Sequence, residues 1–402
     1  MRPHEDHRQV TDCVITEGAV VTPSEVLDPG YVAVSDGRIT AVGPGRPPDA
    51  LVGQASVIEG GGRWVVPGFI DVHVHGGDGA QVNGDSIGEV VASIATIARF
   101  HARHGTTSLL ATAVSDTSRR LETTVEGVAE FMRVGGGGAR VLGTHLEGPW
   151  LARAKMGAQN PATLRDPSLD ELRRLLEAGK GSVRLVTIAP ELPSAPELVA
   201  AAVAEGVRVA VGHTDATYEQ VVAAFDAGAS HATHLFNAMA PLHHRRPGPV
   251  AAALLDERVT LELLADLAHV HPAVLELVFR LAPGRVAAVS DAVQVAGLEP
   301  GNYELGGIEV RLEGSRVSLA GDPATLAGSA LTMDRALRNL VEVAGLGVPE
   351  AVRAASTTPA AVTGMHDIGV IRVGAVADLA LLGDDFRCEA TMVGGHLIPP
   401  GA

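Results

Sequence analysis

Eight short, nearly unbroken apolar segments recur through the middle of this chain, each followed by a stretch long enough for a helix. They are Phe69–Val74, Thr107–Ala113, Arg140–His145, Arg184–Ala189, Val207–His213, Ala229–Leu235, Thr260–Ala265 and Val286–Ser290. Strands that are apolar on both faces belong to parallel sheets covered by helices. Eight of them, alternating with helical segments such as Ile87–Arg103, Leu169–Glu177 and Tyr218–Phe225, match a (β/α)8 TIM-type barrel better than an open sheet. Met333–Val343 is a further helical candidate beyond the eighth strand.

The flanks have a different texture. Cys13–Ile15, Ala19–Thr22, Tyr31–Ser35 and Arg38–Val42 precede the barrel, and Gly369–Val373, Leu379–Leu382 and Ala390–Val393 follow it; all are short, β-like and broken by turn residues. Together these patterns predict an α/β protein in two domains. Residues 1–66 and 368–402 form a small β-sandwich from both termini, and residues 67–367 form the catalytic barrel.

At 402 residues and 46% hydrophobic content the chain has ample material for a buried core. Its 31 Lys+Arg against 47 Asp+Glu give a formal charge of −16, which repels phosphate backbones and anionic lipid, so neither nucleic acid nor a membrane surface is an expected partner. No run of about 18 apolar residues predicts a membrane span. The stretch Met1–Val10 is polar, without an apolar signal core, and the only cysteines are Cys13 and Cys388; both features fit a reducing cytoplasm.

There are 16 histidines. In a barrel of this kind the chemistry gathers at the C-terminal ends of the strands, and ligand-type residues recur there: His73 and His75 at the first, Glu147 at the third, His213 at the fifth, His234 at the sixth, Asp266 and His269 at the seventh, Asp291 at the eighth. A single such histidine is usually a capped or solvated loop residue; their joint placement argues for a site. Glu147, His213 and His234 offer one carboxylate and two imidazoles, a set suited to Zn²⁺ or another borderline divalent ion such as Fe²⁺, Mn²⁺, Co²⁺ or Ni²⁺, with a position left for water. Separations of 66 and 21 residues equal two βα units and one, which sends all three into one mouth. Asp291 then reads as the base that takes a proton from the activated water, although on its own it also reads as a helix N-cap after Ser290. His73 and His75 share a strand face. The pair either holds a second ion, bridged by Glu147, or hydrogen-bonds beside the site. His101, His104, His243, His244, His366 and His396 fall on predicted helices or loops and read mostly as solvated.

Longer motifs carry a resemblance. Pro67-Gly68-Phe69-Ile70-Asp71-Val72-His73-Val74-His75-Gly76, Thr144-His145-Leu146-Glu147-Gly148-Pro149, Gly212-His213-Thr214, Thr233-His234-Leu235-Phe236-Asn237-Ala238-Met239, Ser290-Asp291-Ala292 and Leu326-Ala327-Gly328-Ser329 occur in this order. From about Val14 to about Leu382 the chain resembles the N-acetylglucosamine-6-phosphate deacetylases of the amidohydrolase superfamily. The resemblance implies a metal-dependent barrel, a flanking β-sandwich and a homodimer. It implies Glu147, His213 and His234 as main ligands, Asp291 as general acid/base, and His73 and His75 as the pair that in some members takes a second ion. It also implies Asn237 and the Ala238 backbone as a phosphate-contacting turn, and His269 as a substrate contact. Leu326, Ala327, Gly328 and Ser329 would line the sugar pocket, and Arg245 would be an arginine given to the neighbouring subunit's phosphate.

Two departures bear on the sugar. Gln159 in Lys155-Met156-Gly157-Ala158-Gln159 stands where members usually have histidine, and Asp266-Leu267-Ala268-His269 lacks the usual glycine before its histidine. The implied reaction is hydrolysis of the acetyl group from an N-acetyl-amino-sugar phosphate, N-acetylglucosamine 6-phosphate foremost, with another N-acetylated amino sugar as the alternative. A cyclic-amide hydrolase would carry a modified lysine at the end of the fourth strand, where this chain has Thr187-Ile188-Ala189-Pro190. A non-catalytic sugar-phosphate sensor would have lost a ligand or the base, and neither is lost.

Overall fold

The computed structural model describes residues 12–53, 55–305 and 307–398. The stretch Met1–Val10, read above for a signal core, and the extreme ends of the expected terminal domain lie outside them.

The eight barrel strands are β1 (Phe69–Val74), β2 (Thr106–Val114), β3 (Arg140–Glu147), β4 (Val183–Ile188), β5 (Arg208–Val211), β6 (His231–Ala232), β7 (Thr260–Leu264) and β8 (Val286–Val289). They pair in parallel and in chain order. A parallel bridge from Val74 to Ala292, just past β8, nearly closes the ring. The expected seven-residue strand at Ala229–Leu235 contributes only two residues to the ladder, because His234 and Phe236 adopt φ of 27° and 79° and turn the chain out of extension.

Inside the ring Ile70, Val72, Leu110, Leu142, Leu185, Ala210, Leu264 and Val289 pack together over Ala360, Val362 and Ile368. These last residues close the end at which the strands begin, where Arg208 donates to Val362 O at 2.8 Å. One helix follows each strand, from Ile87–Ala102 after β1 to Met333–Glu342 after β8. Their starts are written in the sequence: the Ser168 hydroxyl accepts the Glu171 N–H, and Thr217 with Gln220 forms a reciprocal capping box, each worth about 1 kcal/mol. Among the described residues no helix is long and apolar enough to cross a membrane.

Both termini feed one hydrogen-bonded eight-stranded sheet. Its strand Trp64–Pro67 runs parallel to Cys13–Val21 on one side and antiparallel to Leu379–Leu382 on the other. Ile15, Val20, Val32, Ile39, Val65, Leu381 and Met392 form a core of its own. The pieces expected at Cys13–Ile15 and Ala19–Thr22 are one strand, bulged around Gly18. Gly369–Val373, expected as a strand, is irregular: Gly369 sits at φ +67° with Ser356 O so close that a Cβ would lie 2.6 Å from it, so the chain cannot run straight there.

An insertion absent from the sequence expectations lies between β8 and its helix. Gly301–Leu305, Ile308–Glu313, Arg316–Leu319 and Asp322–Ser329 form a four-stranded antiparallel sheet. Its last strand returns to the barrel mouth, where Ser329 N donates to Asp291 O at 2.8 Å and Val293 N to Ser329 O at 3.0 Å.

Candidate active site

The C-terminal ends of the strands open into a cleft of about 400 Å³. At its floor the imidazole Nε2 atoms of His213 and His234 lie 3.1 and 2.9 Å from Glu147 Oε1 and 3.1 Å from each other. Beside them His75 Nε2 lies 3.0 Å from His73 Nε2, 3.4 Å from Glu147 Oε2 and 3.2 Å from Asp291 Oδ1. Six side chains from β1, β3 and the ends of β5, β6 and β8 thus share one buried floor. The backbone is bent to bring them there: His213, His234 and Asp291 hold φ of 46°, 27° and 48°, a region that costs a non-glycine residue about 1–3 kcal/mol and clusters at functional sites.

Ring orientation is set from behind. His213 donates Nδ1–H to Lys155 O at 2.8 Å and His75 donates to Thr112 O at 3.1 Å, while His73 Nδ1 faces Glu262 Oε2 at 2.8 Å. With Nδ1 committed to an acceptor, each Nε2 turns a lone pair toward the carboxylates, the form a metal ligand needs. The donor set therefore fits a divalent cation, and Glu147 with His213 and His234, and His73 with His75 and Asp291, each bring three ligand atoms within reach of one ion.

Electrostatics point the same way. Burial works to raise the carboxyl of Glu147, but His213 and His73 outweigh it and hold it well below the usual range. Asp291 is likewise kept low by His73, His75 and His234 against the pull of burial. Burial disfavours the His73 cation, yet Glu262, Glu147 and Asp291 draw a proton onto it and raise its pKa well above the ordinary value. A buried anionic cluster of this kind takes up protons or a cation.

His269 lines the cleft, its Nδ1 held at 2.7 Å by Asp266 Oδ2, while Asp266 Oδ1 accepts the backbone N–H of Ala268 and His269. Asn237 and Ala238 also line it, with the Asn237 amide turned back onto His234 O at 3.2 Å. Gln159, Leu326, Ala327 and Gly328 complete that wall. At Gly328, φ is +61° and a Cβ would lie 2.9 Å from Asp291 O, so only glycine lets this segment lie against the base.

His73 belongs to the floor cluster, as expected, but is itself fully buried and does not line the cleft. Some expected residues stand elsewhere. Ser329, expected in the sugar pocket, is buried behind it and donates its hydroxyl to Ser290 O, since the strand alternates and turns this side chain inward. Arg245 is exposed, donates to His244 Nε2 at 2.9 Å and does not reach the cleft of its own chain. His101, one of six histidines read as mostly solvated, is fully buried and bonded to Gly76 O at 2.9 Å.

Sequence reasoning passed over the layer below the floor: His145, bonded to Thr187 Oγ1 at 2.7 Å, and Glu262, bonded to His231 Nε2 and His73 Nδ1 at 2.8 Å each. Glu262 was the available signal, a charged residue in the middle of an otherwise apolar barrel strand.

The amidohydrolase family model matches residues 64–398, most of the chain. The chain belongs to the amidohydrolase family. Among family members, an N-acetylgalactosamine-6-phosphate deacetylase from Escherichia coli O157:H7 is 36% identical over 385 residues, 96% of this chain and 98% of that protein. An N-acetylglucosamine-6-phosphate deacetylase from Vibrio furnissii is 34% identical over 335 residues, 83% of this chain and 82% of that one. The solved structure of a mutant N-acetyl-D-glucosamine-6-phosphate deacetylase from Mycobacterium smegmatis, in complex with N-acetyl-D-glucosamine-6-phosphate, superposes with a TM-score of 0.89 at 38% identity, covering 97% of this chain and 100% of that chain. The amidohydrolase barrel and the sheet built from both termini are thus shared at full length.

Proposed function

We propose that the protein is a divalent-metal-dependent hydrolase that removes the acetyl group from N-acetyl-D-glucosamine 6-phosphate, releasing acetate and the amino sugar phosphate. The observation that carries this reading is the convergence of Glu147, His213 and His234 at 2.9–3.1 Å beside the Asp291 carboxylate on the floor of the cleft. The substrate class comes from the relatives' names.

Glu147, His213 and His234 would hold the principal ion and His73 with His75 a second, Zn²⁺ best matching two imidazoles and a carboxylate, with Fe²⁺, Mn²⁺, Co²⁺ and Ni²⁺ compatible. When bound, such an ion polarises a carbonyl and makes water a better acid. Asp291, ionised at neutral pH, accepts a proton from the attacking water at Oδ1 and hands it to the departing sugar nitrogen. His269, braced by Asp266, turns its remaining ring nitrogen to the substrate. Asn237 and the Ala238 backbone meet the phosphate, and Leu326 to Gly328 run along the sugar. Arg245, exposed and outside the lining of its own cleft, supplies a cation to the phosphate in the second subunit of a homodimer. Two unpaired cysteines accord with a cytoplasmic setting.

The Escherichia coli relative favours a second sugar, N-acetyl-D-galactosamine 6-phosphate. Acetate release by the metal-loaded protein on both hexosamine phosphates and their unphosphorylated forms tests the proposal. Turnover of N-acetyl-D-glucosamine 6-phosphate, with the highest kcat/KM of the four, is expected. A higher value for the galacto epimer would transfer the assignment to that sugar, and no acetate from any of them would overturn it. Arg245→Ala mixed with Asp291→Asn should regain activity through hybrid dimers; no recovery, given proven subunit exchange, would remove Arg245 from the partner's site.

A further inference from the structure

Beneath the floor lies a polar layer that the proposed reaction does not use. Its centre is Glu262, midway along β7 and fully buried. Oε2 accepts from His73 Nδ1 at 2.8 Å and from the His234 backbone N–H at 3.0 Å, and Oε1 accepts from His231 Nε2 at 2.8 Å. A carboxylate inside an apolar barrel is tolerated only when its lone pairs are met. Here three donors meet them.

His73, His145 and Glu262 also lie close enough together to suggest an ion of their own. The contacts argue otherwise: both Glu262 oxygens are already spent on donors, and His145 Nε2 is committed to Thr187 Oγ1, which in turn meets Thr233 Oγ1 at 2.7 Å. The layer is a hydrogen-bonded support.

We infer that Glu262 is the positioning residue of the site, fixing His73 as the Nδ1–H tautomer so that Nε2 presents its lone pair to the cluster of His75, Glu147 and Asp291. An ionised carboxylate has no hydrogen to offer, so His73 has to supply the one between them. That makes Nε2 the ring atom that faces the cluster, 3.0 Å from His75 Nε2 and 3.4 Å from Glu147 Oε1. The same oxygen, by accepting the His234 N–H, pins the turn in which His234 leaves β6. One buried carboxylate thereby aligns a candidate ligand from β1 with one from β6. Glutamine has nearly the same shape but offers an N–H₂ on one side, so one ring facing it must change tautomer. The inference rests on the proposal that His73 is a metal ligand.

The test uses Co²⁺ as the probe. Apoprotein of the wild type and of Glu262→Gln, each checked for folding by circular dichroism, is titrated with Co²⁺ against a chelator. Imidazole ¹⁵N shifts of the wild-type apoprotein, with His73 assigned through His73→Gln, report its tautomer whether or not the Glu262 variant folds. Expected are two equivalents in the wild type, at least one of which weakens by about 10–100-fold in Glu262→Gln, and a wild-type His73 that carries a proton on Nδ1 whether or not Nε2 is protonated as well. Two equivalents with unchanged affinity in the variant, or a wild-type His73 protonated at Nε2 alone, would overturn the inference. A wild type that binds one equivalent would instead remove the second ion from the proposed function, and the tautomer would still decide the role of Glu262.

Discussion

Gln159 joins Glu147 to the end of β2: its amide nitrogen donates to Glu147 Oε2 at 2.7 Å, and its carbonyl accepts the Ser115 backbone N–H at 2.9 Å. The residue thus braces the carboxylate as well as lining the cleft. Gln159→Leu keeps the bulk but removes both bonds, leaving Glu147 Oε2 with His75 at 3.4 Å as its remaining neighbour. Metal affinity, measured by chelator competition, should fall by about 10–100-fold, with kcat/KM following. An unchanged affinity would reduce Gln159 to a wall of the pocket.

Asp291→Asn preserves shape but cannot take a proton. It should fold, keep its metal by elemental analysis, and lose acetate release by about 10²-fold or more. Burial pushes this carboxyl up and the imidazoles of His73, His75 and His234 more than cancel it, so the wild type should keep its base until the pH drops below the ordinary carboxylate range of about 4. Activity within a few-fold of wild type in the asparagine variant would mean that another group is the base.

Leu267 precedes His269 by two residues and sits at φ +66°. A left-handed leucine costs about 1–2 kcal/mol, whereas glycine adopts this conformation freely and gives back about 0.5–1 kcal/mol through the entropy of the unfolded chain. Leu267→Gly should therefore stabilise by up to about 1 kcal/mol, a rise in Tm of roughly 2 °C by calorimetry. A lower Tm would show that the leucine side chain contributes packing that its partial exposure conceals.

His101 contributes an acid sensitivity of its own, separate from the titration of the candidate base. Burial pushes its pKa down to about 4, only partly offset by the bond to Gly76 O. Between about pH 6.5 and 4 the unfolded chain binds a proton here and the folded one does not, so stability falls as the pH falls through that window, by about 3 kcal/mol in all. Urea denaturation of the wild type and His101→Gln at pH 7 and pH 4 should show the variant losing about that much less. Parallel losses in both proteins would assign the acid sensitivity elsewhere.

The barrel was legible because its strands are apolar on both faces, a pattern that periodicity exposes directly. The convergence of His73, His75, Glu147, His213, His234 and Asp291 was legible too, since strand ends in such a barrel meet whatever the sequence distance. Glu262 and His145 were not, because a polar residue at mid-strand is recognisable as a support only once its partners are known, and those partners lie on β1, β4 and β6. The hairpin strands between Gly301 and Ser329 were hidden by short, half-exposed segments, whereas Gly369–Val373 looked like a strand until the approach of Ser356 bent it. Arg245 is an expectation about a second subunit, and a single chain shows only that it is exposed and does not line its own cleft.

The strand Trp64–Pro67 fills its second side with Leu379–Leu382, about 310 residues further along the chain. At about 5–20 residues per second of synthesis, that edge waits roughly 15–60 s for its partner, and during the wait Trp64, Val65 and Val66 are an open, apolar sheet margin of the kind that recruits other chains. The whole barrel is made and can close within that interval. Completion of the terminal sheet is therefore a late event in the life of each new molecule, which has to carry that margin unpaired until the last strands arrive.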